Sequence, residues 1–509
     1  MDRMVTRLLR KVAIRVDAST QIGTGHFMRC LALAAGLSQR GARVRLLSRH
    51  APAHLADLAR GEGHELAMLG NGAGVEDARE LAHSAWLGTS SAADARDTTR
   101  ALGDGVWDWL VVDHYALDAR WESALRGAAR RILVIDDLAD RPHDCDLLLD
   151  QNLHPDDGAR YGGKVPAACR LLLGPRYALL REEFARVRAG TRSRTGEVGR
   201  ILVFFGGVDA GGHTRRAIEA IAALGVPDLE VDVVVGAQHA TRAAIESRCA
   251  ELGYRCHVQT PRMATLMAEA DLALGAGGTA SWERCCLGLP ALVQPVAENQ
   301  NQLVENAALA GLQHAPDCGA GATLSDHLRS LLANPLLLRA LSRNGMRAVD
   351  GRGVQRVLRA MGFGAVAVRK AATADSAEVY VWRNDPAVRA ASRNANVVGR
   401  SEHEAWFATT LASDDRVLLI GEREGHGIGV VRFDMREQVA EVSIYLAPNL
   451  GGNGEGAELL AAAESWLAQN RPGLGELRAE VLRDNHRSHG LFLAAGYRLA
   501  SSQYVKRIA

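Results

Sequence analysis

The 509-residue sequence predicts two successive α/β units followed by a smaller α+β domain, and three observations carry that expectation. Short continuous apolar runs alternate with helical stretches: Lys11–Val16, Trp109–Asp113 (WLVVD), Ile132–Asp136 (ILVID) and Leu147–Asp150. That is the pattern of a parallel sheet covered on both faces. It restarts at Arg200–Gly207 (RILVFFGG), beyond the polar linker Ala189–Gly199. From about Ala365 the texture changes to successive antiparallel strands, at Arg416–Ile420, Gly427–Phe433 and Val439–Leu446. The expected domains are 1–190, 196–362 and 366–509, in keeping with about three domains for this length.

Composition narrows the function classes. Hydrophobic residues make up 47% and charged residues 23%, an ordinary globular balance that excludes a largely disordered chain. A formal charge of +1 provides no global field to recruit nucleic acid or an anionic membrane. Only Lys11, Lys164, Lys370 and Lys506 among the 60 basic residues are lysine, a bias that reads as GC-rich coding rather than arginine-based recognition. No run approaches the roughly 18 apolar residues of a membrane span. Near the start, Arg10, Lys11, Arg15 and Asp17 interrupt any signal-peptide core. The eight cysteines fall between Cys30 and Cys318 without a C-x-x-C pair, so a reducing cytoplasm is expected.

In the first unit the strand Lys11–Val16 leads into Arg15-Val-Asp-Ala-Ser-Thr-Gln-Ile-Gly-Thr-Gly-His26, which opens a helix over about 27–40. Gly23 and Gly25 let the backbone approach a ligand closely, and the free N–H groups of the helix start favour a diphosphate. His26 falls in the first helical turn, whose positive end disfavours imidazolium and leaves a neutral ring able to accept a proton. Val44–Leu47 reads as the next strand. Asp113-His114-Tyr115 closes the WLVV strand, where loops reach a cleft. Asp136-Asp137 closes another, but no third ligand stands at suitable spacing, and no metal is predicted.

The second unit, with further strands at Val231–Gly236, Asp271–Gly275 and Ala291–Pro295, carries Gly275-Ala-Gly-Gly-Thr-Ala-Ser-Trp-Glu283 after the strand DLAL. Gly277 and Gly278 present N–H groups to phosphate oxygens, Thr279 or Ser281 caps the helix or bonds a phosphate, and Glu283 stands where an acid accepts from ribose hydroxyls. Gly206 and Gly207 offer a second backbone approach, and Asn299 and Gln300 supply amides beyond the next strand. Ligands in such sheets bind outside the carboxyl ends of the strands, here in a cleft between two lobes.

These strings together resemble a known family. The second lobe looks like the nucleotide-binding half of two-lobed glycosyltransferases. Approximately residues 12–300 resemble the UDP-sugar hydrolases of pseudaminic acid biosynthesis, through RVDASTQIGTGHFMRC, VVDHYALD, VIDDLADRPHDCDLLLDQN, GPRYALLREEF, FFGGVDAGGHT and GAGGTASWERCCLGLP. The resemblance implies two Rossmann-like lobes of GT-B type and a metal-independent hydrolase that cleaves between the anomeric carbon and the diphosphate oxygen. It gives His26 the part of positioning or deprotonating water, places Tyr115 beside the sugar, and has Gly277, Gly278, Thr279 and Glu283 hold UDP. Family members often carry Asn where this chain has Gly212, which puts a local helix cap in question.

The C-terminal domain pairs a strand, Glu441–Pro448, with the loop Asn449-Leu-Gly-Gly-Asn-Gly-Glu-Gly456 and a helix over about 456–469. Such a loop exposes consecutive N–H groups to a pyrophosphate. Leu477–Leu482 reads as a further strand, and Asp484-Asn485-His-Arg-Ser488 leads into Leu491-Phe492-Leu-Ala-Ala-Gly496-Tyr497. Roughly 366–509 resembles the GNAT family of acetyl-CoA-dependent N-acetyltransferases, with Trp382-Arg-Asn384, Ser392-Arg-Asn394 and His403-x-x-Trp-Phe407 similar to the branch acting on 4-amino UDP-sugars. That resemblance implies an acetyl-CoA seat at Leu446, Gly451, Gly452, Asn453, Gly454, Glu455, Gly456, Asn485 and Ser488. The family usually has Arg or Gln at Gly451, and many members have Tyr as general acid at Phe492. Glu441 is either the acceptor of the amine proton, directly or through water, or a strand-end acid with a structural partner.

The two resemblances meet at one intermediate. They imply N-acetylation of UDP-4-amino-4,6-dideoxy-N-acetyl-β-L-altrosamine, then release of UDP from the product, UDP-2,4-diacetamido-2,4,6-trideoxy-β-L-altropyranose. A UDP-linked amino sugar is the expected partner, with no nucleic acid and no membrane. A glycosyltransferase fused to an acetyltransferase, and a non-catalytic UDP-sugar-binding module, stay open as alternatives.

Overall fold

The computed structural model describes residues 10–19, 21–70, 81–156, 158–316, 322–423, 425–448, 450 and 455–500. The chain divides into two compact units, Met1–Phe363 and Gly364–Ala509.

The first unit holds two parallel sheets. One contains β1 (Lys11–Val16), β2 (Arg43–Ser48), β3 (Glu65–Met68), β4 (Trp109–Asp113), β5 (Ile132–Ile135), β6 (Leu147–Asp150) and β7 (Arg170–Leu173), in the order β3-β2-β1-β4-β5-β6-β7. Strand periodicity splits its core between the two faces. Val12, Ile14, Val111 and Leu133 pack with Phe27, Leu33 and Leu37 of α1 (Gly25–Ser38). Ala13, Leu110, Val112 and Val134 pack on the other side with Trp107 and Trp121. The helices α2 (Ala53–Gly61), α3 (Ser91–Leu102) and α4 (Ala119–Leu125) complete the lobe, whereas α5 (Glu182–Ala189) buries Phe184 with Met263 and Trp282 in the core of the second.

The second sheet contains β8 (Arg200–Phe204), β9 (Glu230–Val235), β10 (Arg255–Val258), β11 (Leu272–Ala276) and β12 (Ala291–Gln294), in the order β10-β9-β8-β11-β12. Its helices are α6 (His213–Ala222), α7 (Arg242–Leu252), α8 (Met263–Glu269), α9 (Thr279–Cys286), α10 (Asn301–Leu309), α11 (Leu324–Leu332) and α12 (Pro335–Ala348). Both lobes are Rossmann-like and doubly wound, the GT-B arrangement. The strand order reverses beside β1/β4 in one lobe and beside β8/β11 in the other, and ligand crevices open at such points.

The stretch expected as the second lobe, 196–362, is shared between the lobes. Its last helix, α13 (Gly353–Ala360), returns to the first, where Val354, Val357 and Leu358 join the α1 core. Trp109 Nε1 donates to the Met361 carbonyl at 3.0 Å and fixes the end of that return.

The second unit is one five-stranded sheet: β13 (Ala367–Lys370), β14 (Arg416–Arg423), β15 (His426–Arg436), β16 (Val439–Leu446) and β17 (Glu476–Ala479), in sequence order. Neighbours are antiparallel except β16 and β17, which run parallel. One face packs on α17 (Glu455–Asn470) and α18 (His486–Ala494) through Val431, Phe433 and Val442. The other packs on α14 (Ser376–Asn384) and α16 (Arg400–Leu411) through Val379, Trp382 and Phe407, with the short α15 (Pro386–Ala390) between them in the chain.

Leu358 is fully buried in the first-lobe core. Leu358→Ala is therefore expected to lower the unfolding free energy by about 2–5 kcal/mol, measured by urea denaturation of the full chain. A change under about 1 kcal/mol would show that α13 is not integral to that core.

Candidate active site

The first lobe converges its charge on one buried carboxylate. Asp113, at the carboxyl end of β4, has a side chain that is 0% exposed. It accepts two 2.6 Å bonds from Arg29, through Nε and Nη2, and lies 2.6 Å from His26 Nδ1. Arg29 and His26 share one helical face because they stand three residues apart on α1. Burial pushes the Asp113 carboxyl up, but Arg29 and His26 pull harder and hold it well below the ordinary aspartate value. A nitrogen 2.6 Å from an ionised oxygen requires a proton between them, so Nδ1 carries a hydrogen, and in the neutral ring the lone pair is at Nε2. Arg29 Nη2 lies 3.0 Å from Nδ1 as well, but its hydrogen bond goes to Asp113.

The loop that presents His26 is built for close approach. Ser19 Oγ accepts from the backbone N–H of Gln21 and Ile22, and Gly23 turns at φ +79°. Thr24, the N-cap of α1, makes no side-chain cap, so the helix start beginning at Gly25 keeps donors for an anion. Tyr115 stands edge-on to His26, ring centroids 4.7 Å apart, and its hydroxyl donates to Asp137 Oδ1 at 2.5 Å. Asp137 also accepts from Asn152 Nδ2 at 3.0 Å and lies 3.5 Å from Arg29 Nη1. Its neighbour Asp136 points the other way, to Arg141 at 2.9 Å and the backbone N–H of Ala139. Among the described residues no cluster of three or more His, Cys, Asp or Glu side chains is arranged to hold a metal.

Across the cleft, α9 begins at an uncapped Gly278 with φ +86°. A side chain at Gly277 would press within 2.8 Å of Val304 and 3.2 Å of Gln300, so the loop admits only glycine there. Arg284 is buried beneath this loop, where Nη2 donates to the Ala276 carbonyl and to Ser281 Oγ. With no carboxylate partner in these bonds, burial pushes Arg284 down to about 10, still a cation at neutral pH. A buried positive charge under a helix N-terminus is a setting that favours an anion. Glu283 is half-buried one turn into α9, and burial raises its carboxyl against the opposing pull of Arg181 and Arg284. Asn299 is exposed, and Gln300 folds back so that its Oε1 accepts from Val296 N.

Gly206 and Gly207 follow β8 as expected, but the α6 start beyond them is filled. Asp209 accepts from the N–H groups of His213 and Thr214 at 3.0 and 2.7 Å, supplying the cap that Gly212 lacks. The two glycine loops meet through Thr279: its Oγ1 lies 4.0 Å from where a Gly25 side chain would begin and 3.4 Å from Gln151 Nε2. Trp282 Nε1 donates to Asn152 Oδ1 and Asn306 Nδ2 to the Leu153 carbonyl, further ties between the lobes. Sequence reasoning missed Arg29, Asp113 as the partner of His26, and Arg284. Two of the three were signalled, by the i,i+3 spacing of His26 and Arg29 and by a buried-strand Asp.

In the second unit, β16 pairs with β17 only over Val439–Val442, and among the described residues no strand pairs with Ser443–Leu446 on that side. This splay leaves main-chain N–H and C=O groups for a ligand carrying amides. Gly451, Gly452, Asn453 and Gly454 lie outside the described residues. Glu455 is buried at the start of α17, with its carboxylate 3.6 Å from Arg423. Gly456 packs near Leu446 and Leu491, and Asn485 caps α18 by accepting from Ser488 N at 3.1 Å. Glu441 pairs with Arg393 at 2.6 Å, and the same Nη2 reaches Glu480 at 2.6 Å. Phe492 is buried edge-on against Tyr497, whose hydroxyl donates to Glu464.

The chain is thus a bilobal α/β unit followed by a domain whose residues 366–498 match the family described as acetyltransferase (GNAT) domain. The N-terminal part is 32% identical over 207 residues to the spore coat polysaccharide biosynthesis protein SpsG of Bacillus subtilis, covering 38% of this chain and 58% of that protein. It is 27% identical over 200 residues to the UDP-2,4-diacetamido-2,4,6-trideoxy-beta-L-altropyranose hydrolase of Campylobacter jejuni, covering 39% of this chain and 61% of that protein. The chain therefore spans about three-fifths of the length of these relatives. Among solved structures, Acinetobacter baumannii MurG is similar with 15% identity and a TM-score of 0.46, over 69% of this chain and 99% of that one. A GNAT acetyltransferase from Streptococcus pneumoniae is similar with 22% identity and a TM-score of 0.24, over 28% of this chain and 93% of that one. Among the described residues no helix is long and apolar enough to cross a membrane.

Asp150, at the end of β6, gives this site a pH signature. Burial and Asp137 push its carboxyl up to about 7, against the backbone N–H of Asn152, Arg160 and Tyr161. The folded chain then holds a proton that the unfolded chain has lost between about pH 4 and pH 7, so this group's contribution to stability falls as pH rises through that interval. Asp150→Asn is expected to gain stability relative to the parent on going from pH 5 to pH 8 in urea unfolding. An identical difference at both pH values would contradict the assignment.

Proposed function

We propose that the chain performs two consecutive steps on one UDP-sugar. The C-terminal unit acetylates the 4-amino group of UDP-4-amino-4,6-dideoxy-N-acetyl-β-L-altrosamine. The N-terminal lobes then hydrolyse UDP-2,4-diacetamido-2,4,6-trideoxy-β-L-altropyranose to UDP and the free sugar. One observation carries the second step: His26, oriented by Asp113, opens a helix that faces the uncapped start of α9 with Arg284 beneath it.

In this reading the UDP phosphates rest on the N–H groups of Gly277, Gly278 and Thr279, with Arg284 adding charge from below. Glu283 is the candidate for the ribose hydroxyls. A water beside His26 Nε2 attacks the anomeric carbon and gives its proton to the ring, while the C–O pair leaves with UDP. The imidazolium formed is stabilised by Asp113, which Arg29 keeps ionised. Tyr115, locked by Asp137, borders the sugar. The resemblance to the Campylobacter jejuni hydrolase supports the activity, and the motifs Trp382–Asn384 and Ser392–Asn394 support an amino-sugar acceptor for the acetyltransferase.

For acetyl transfer, the splayed edge Ser443–Leu446 fits the amides of a pantetheine arm, and α17 opens next to the glycine loop. The free amine attacks the thioester carbonyl and CoA leaves as its thiolate, with the amine proton lost to a nearby base. Glu441 serves as that base once Arg393 moves aside, and as a structural partner of Arg393 otherwise.

The purified chain is expected to release UDP from the 4-amino UDP-sugar only when acetyl-CoA is added, followed by NMR of sugar and UDP signals. His26→Ala should slow UDP release by about 10²–10⁴-fold and leave acetylation intact. Acetylation without UDP release in the parent chain would refute the hydrolase reading. Transfer of the sugar to an added acceptor without comparable hydrolysis would replace it with a glycosyltransferase.

A further inference from the structure

The ring of Tyr115 belongs to a larger aromatic surface. His83 lies 5.4 Å from Tyr115 and 4.3 Å from Trp86, centroid to centroid, and Trp86 lies 5.9 Å from Tyr115. With His26 at 4.7 Å from Tyr115, four rings run without a break from the candidate base to Trp86. Three of the four come from separate segments: the start of α1, the loop after β4, and the turn around residues 83–87. Their coincidence is a tertiary feature that no local pattern predicts.

The turn that carries Trp86 is anchored at both ends. Ser84 Oγ donates to the Leu81 carbonyl at 2.7 Å and accepts from Leu81 N at 3.0 Å, and Trp86 N donates to the His83 carbonyl. The next residue, Leu87, is buried in the core with Trp107 and Trp121. Trp86 itself stays half-exposed, and among the described residues its indole N–H has no partner. A rigid, solvent-facing indole with a free donor is poorly explained as core packing, because buried or structural Trp N–H groups find acceptors. Trp107, Trp109, Trp121 and Trp282 in the same unit all do.

We infer that Trp86, backed by His83 and Tyr115, is a stacking platform for the C–H face of the sugar whose anomeric carbon meets His26. Sugars present apolar C–H faces edged by hydroxyl and amide groups, so an indole face with an adjacent N–H donor matches both kinds of surface. The phosphates are held across the cleft at α9, which leaves the sugar rather than the nucleotide on the His26 side. This inference rests on reading the cleft as a UDP-sugar site and adds the residues that distinguish the sugar from UDP alone.

The test compares the parent chain, Trp86→Ala and Trp86→Phe. KM is measured for hydrolysis of UDP-2,4-diacetamido-2,4,6-trideoxy-β-L-altropyranose, the inhibition constant for UDP, and calorimetric affinity for UDP and for that sugar nucleotide at 5 °C. Thermal melting of each variant checks the fold. Trp86→Ala is expected to raise KM and weaken sugar-nucleotide binding by about tenfold, with UDP affinity unchanged and Trp86→Phe close to the parent. An equal loss for UDP would place the platform under the uracil ring, and unchanged sugar-nucleotide affinity would remove it from the site; either overturns the inference. If the parent binds both ligands but releases no UDP, the hydrolase reading fails on its own, and the calorimetric comparison still decides the role of Trp86.

Discussion

A buried aspartate cannot stay ionised without compensation, and Asp113 holds the His26 side of the first lobe to one geometry through that requirement. Its side chain is closed off from solvent at the carboxyl end of β4, so Arg29 must donate to both oxygens and His26 must point Nδ1 at one of them. The consequences spread outward along the chain. Because Arg29 and His26 ride on the same helix, α1 is fixed in rotation as well as position. Because α1 packs against α13, the closing helix of the unit is tied to the orientation of the histidine. Removing the carboxylate would take away both close acceptors of a buried guanidinium and leave it only Asp137, 3.5 Å away, a costly way to alter such a cluster.

The second lobe solves the opposite problem. Its glycine loop sits over Arg284, a buried cation whose bonds go to a carbonyl and a hydroxyl rather than to an acid. Charge that is left uncompensated by the protein is available to an anion at the start of α9. In the proposed function the two lobes present complementary halves: an internally neutralised base on one wall and an anion seat on the other. Thr279, Trp282 and Asn306 bridge to Gln151, Asn152 and Leu153 around that gap, so the residues that define the cleft also hold its walls together.

Central strands were legible in the sequence because burial on both sides makes them continuous apolar runs: β1, β4, β5 and β6 all read directly. The edge strands β3, β7, β10 and β13 did not, since each is partly exposed and mixes polar with apolar residues. The return of α13 was hidden for a different reason: its amphipathic pattern shows that it packs, but not against which lobe. At the site, glycine loops and His26 were visible as local strings. The partnership of His26 with Asp113 was not, because 87 residues separate them and only the β1–β4 pairing brings them together. The paired acids Asp136 and Asp137 lacked a third ligand in the sequence and no metal was expected there; just beyond β5 one turns to Arg141 and the other to Tyr115, which the sequence could not show. Arg284 gave no signal, since an arginine after Glu283 reads as surface charge until the helix is seen to bury it.

The second unit adds its own chemistry through a sheet that opens where β17 ends, and the GNAT match covers that whole region. The acetyltransferase and sugar-nucleotide cleft proposed for this one chain make chemical sense together when the product of one is the substrate of the other. The central claim concerns which bond the His26-activated water breaks. Hydrolysis of the diacetamido UDP-sugar in ¹⁸O-water, with mass analysis of the released UDP, tests it most directly. Attack at the anomeric carbon predicts UDP free of ¹⁸O; label in the UDP phosphate would mean attack at phosphorus and would contradict the role assigned to His26 and Asp113.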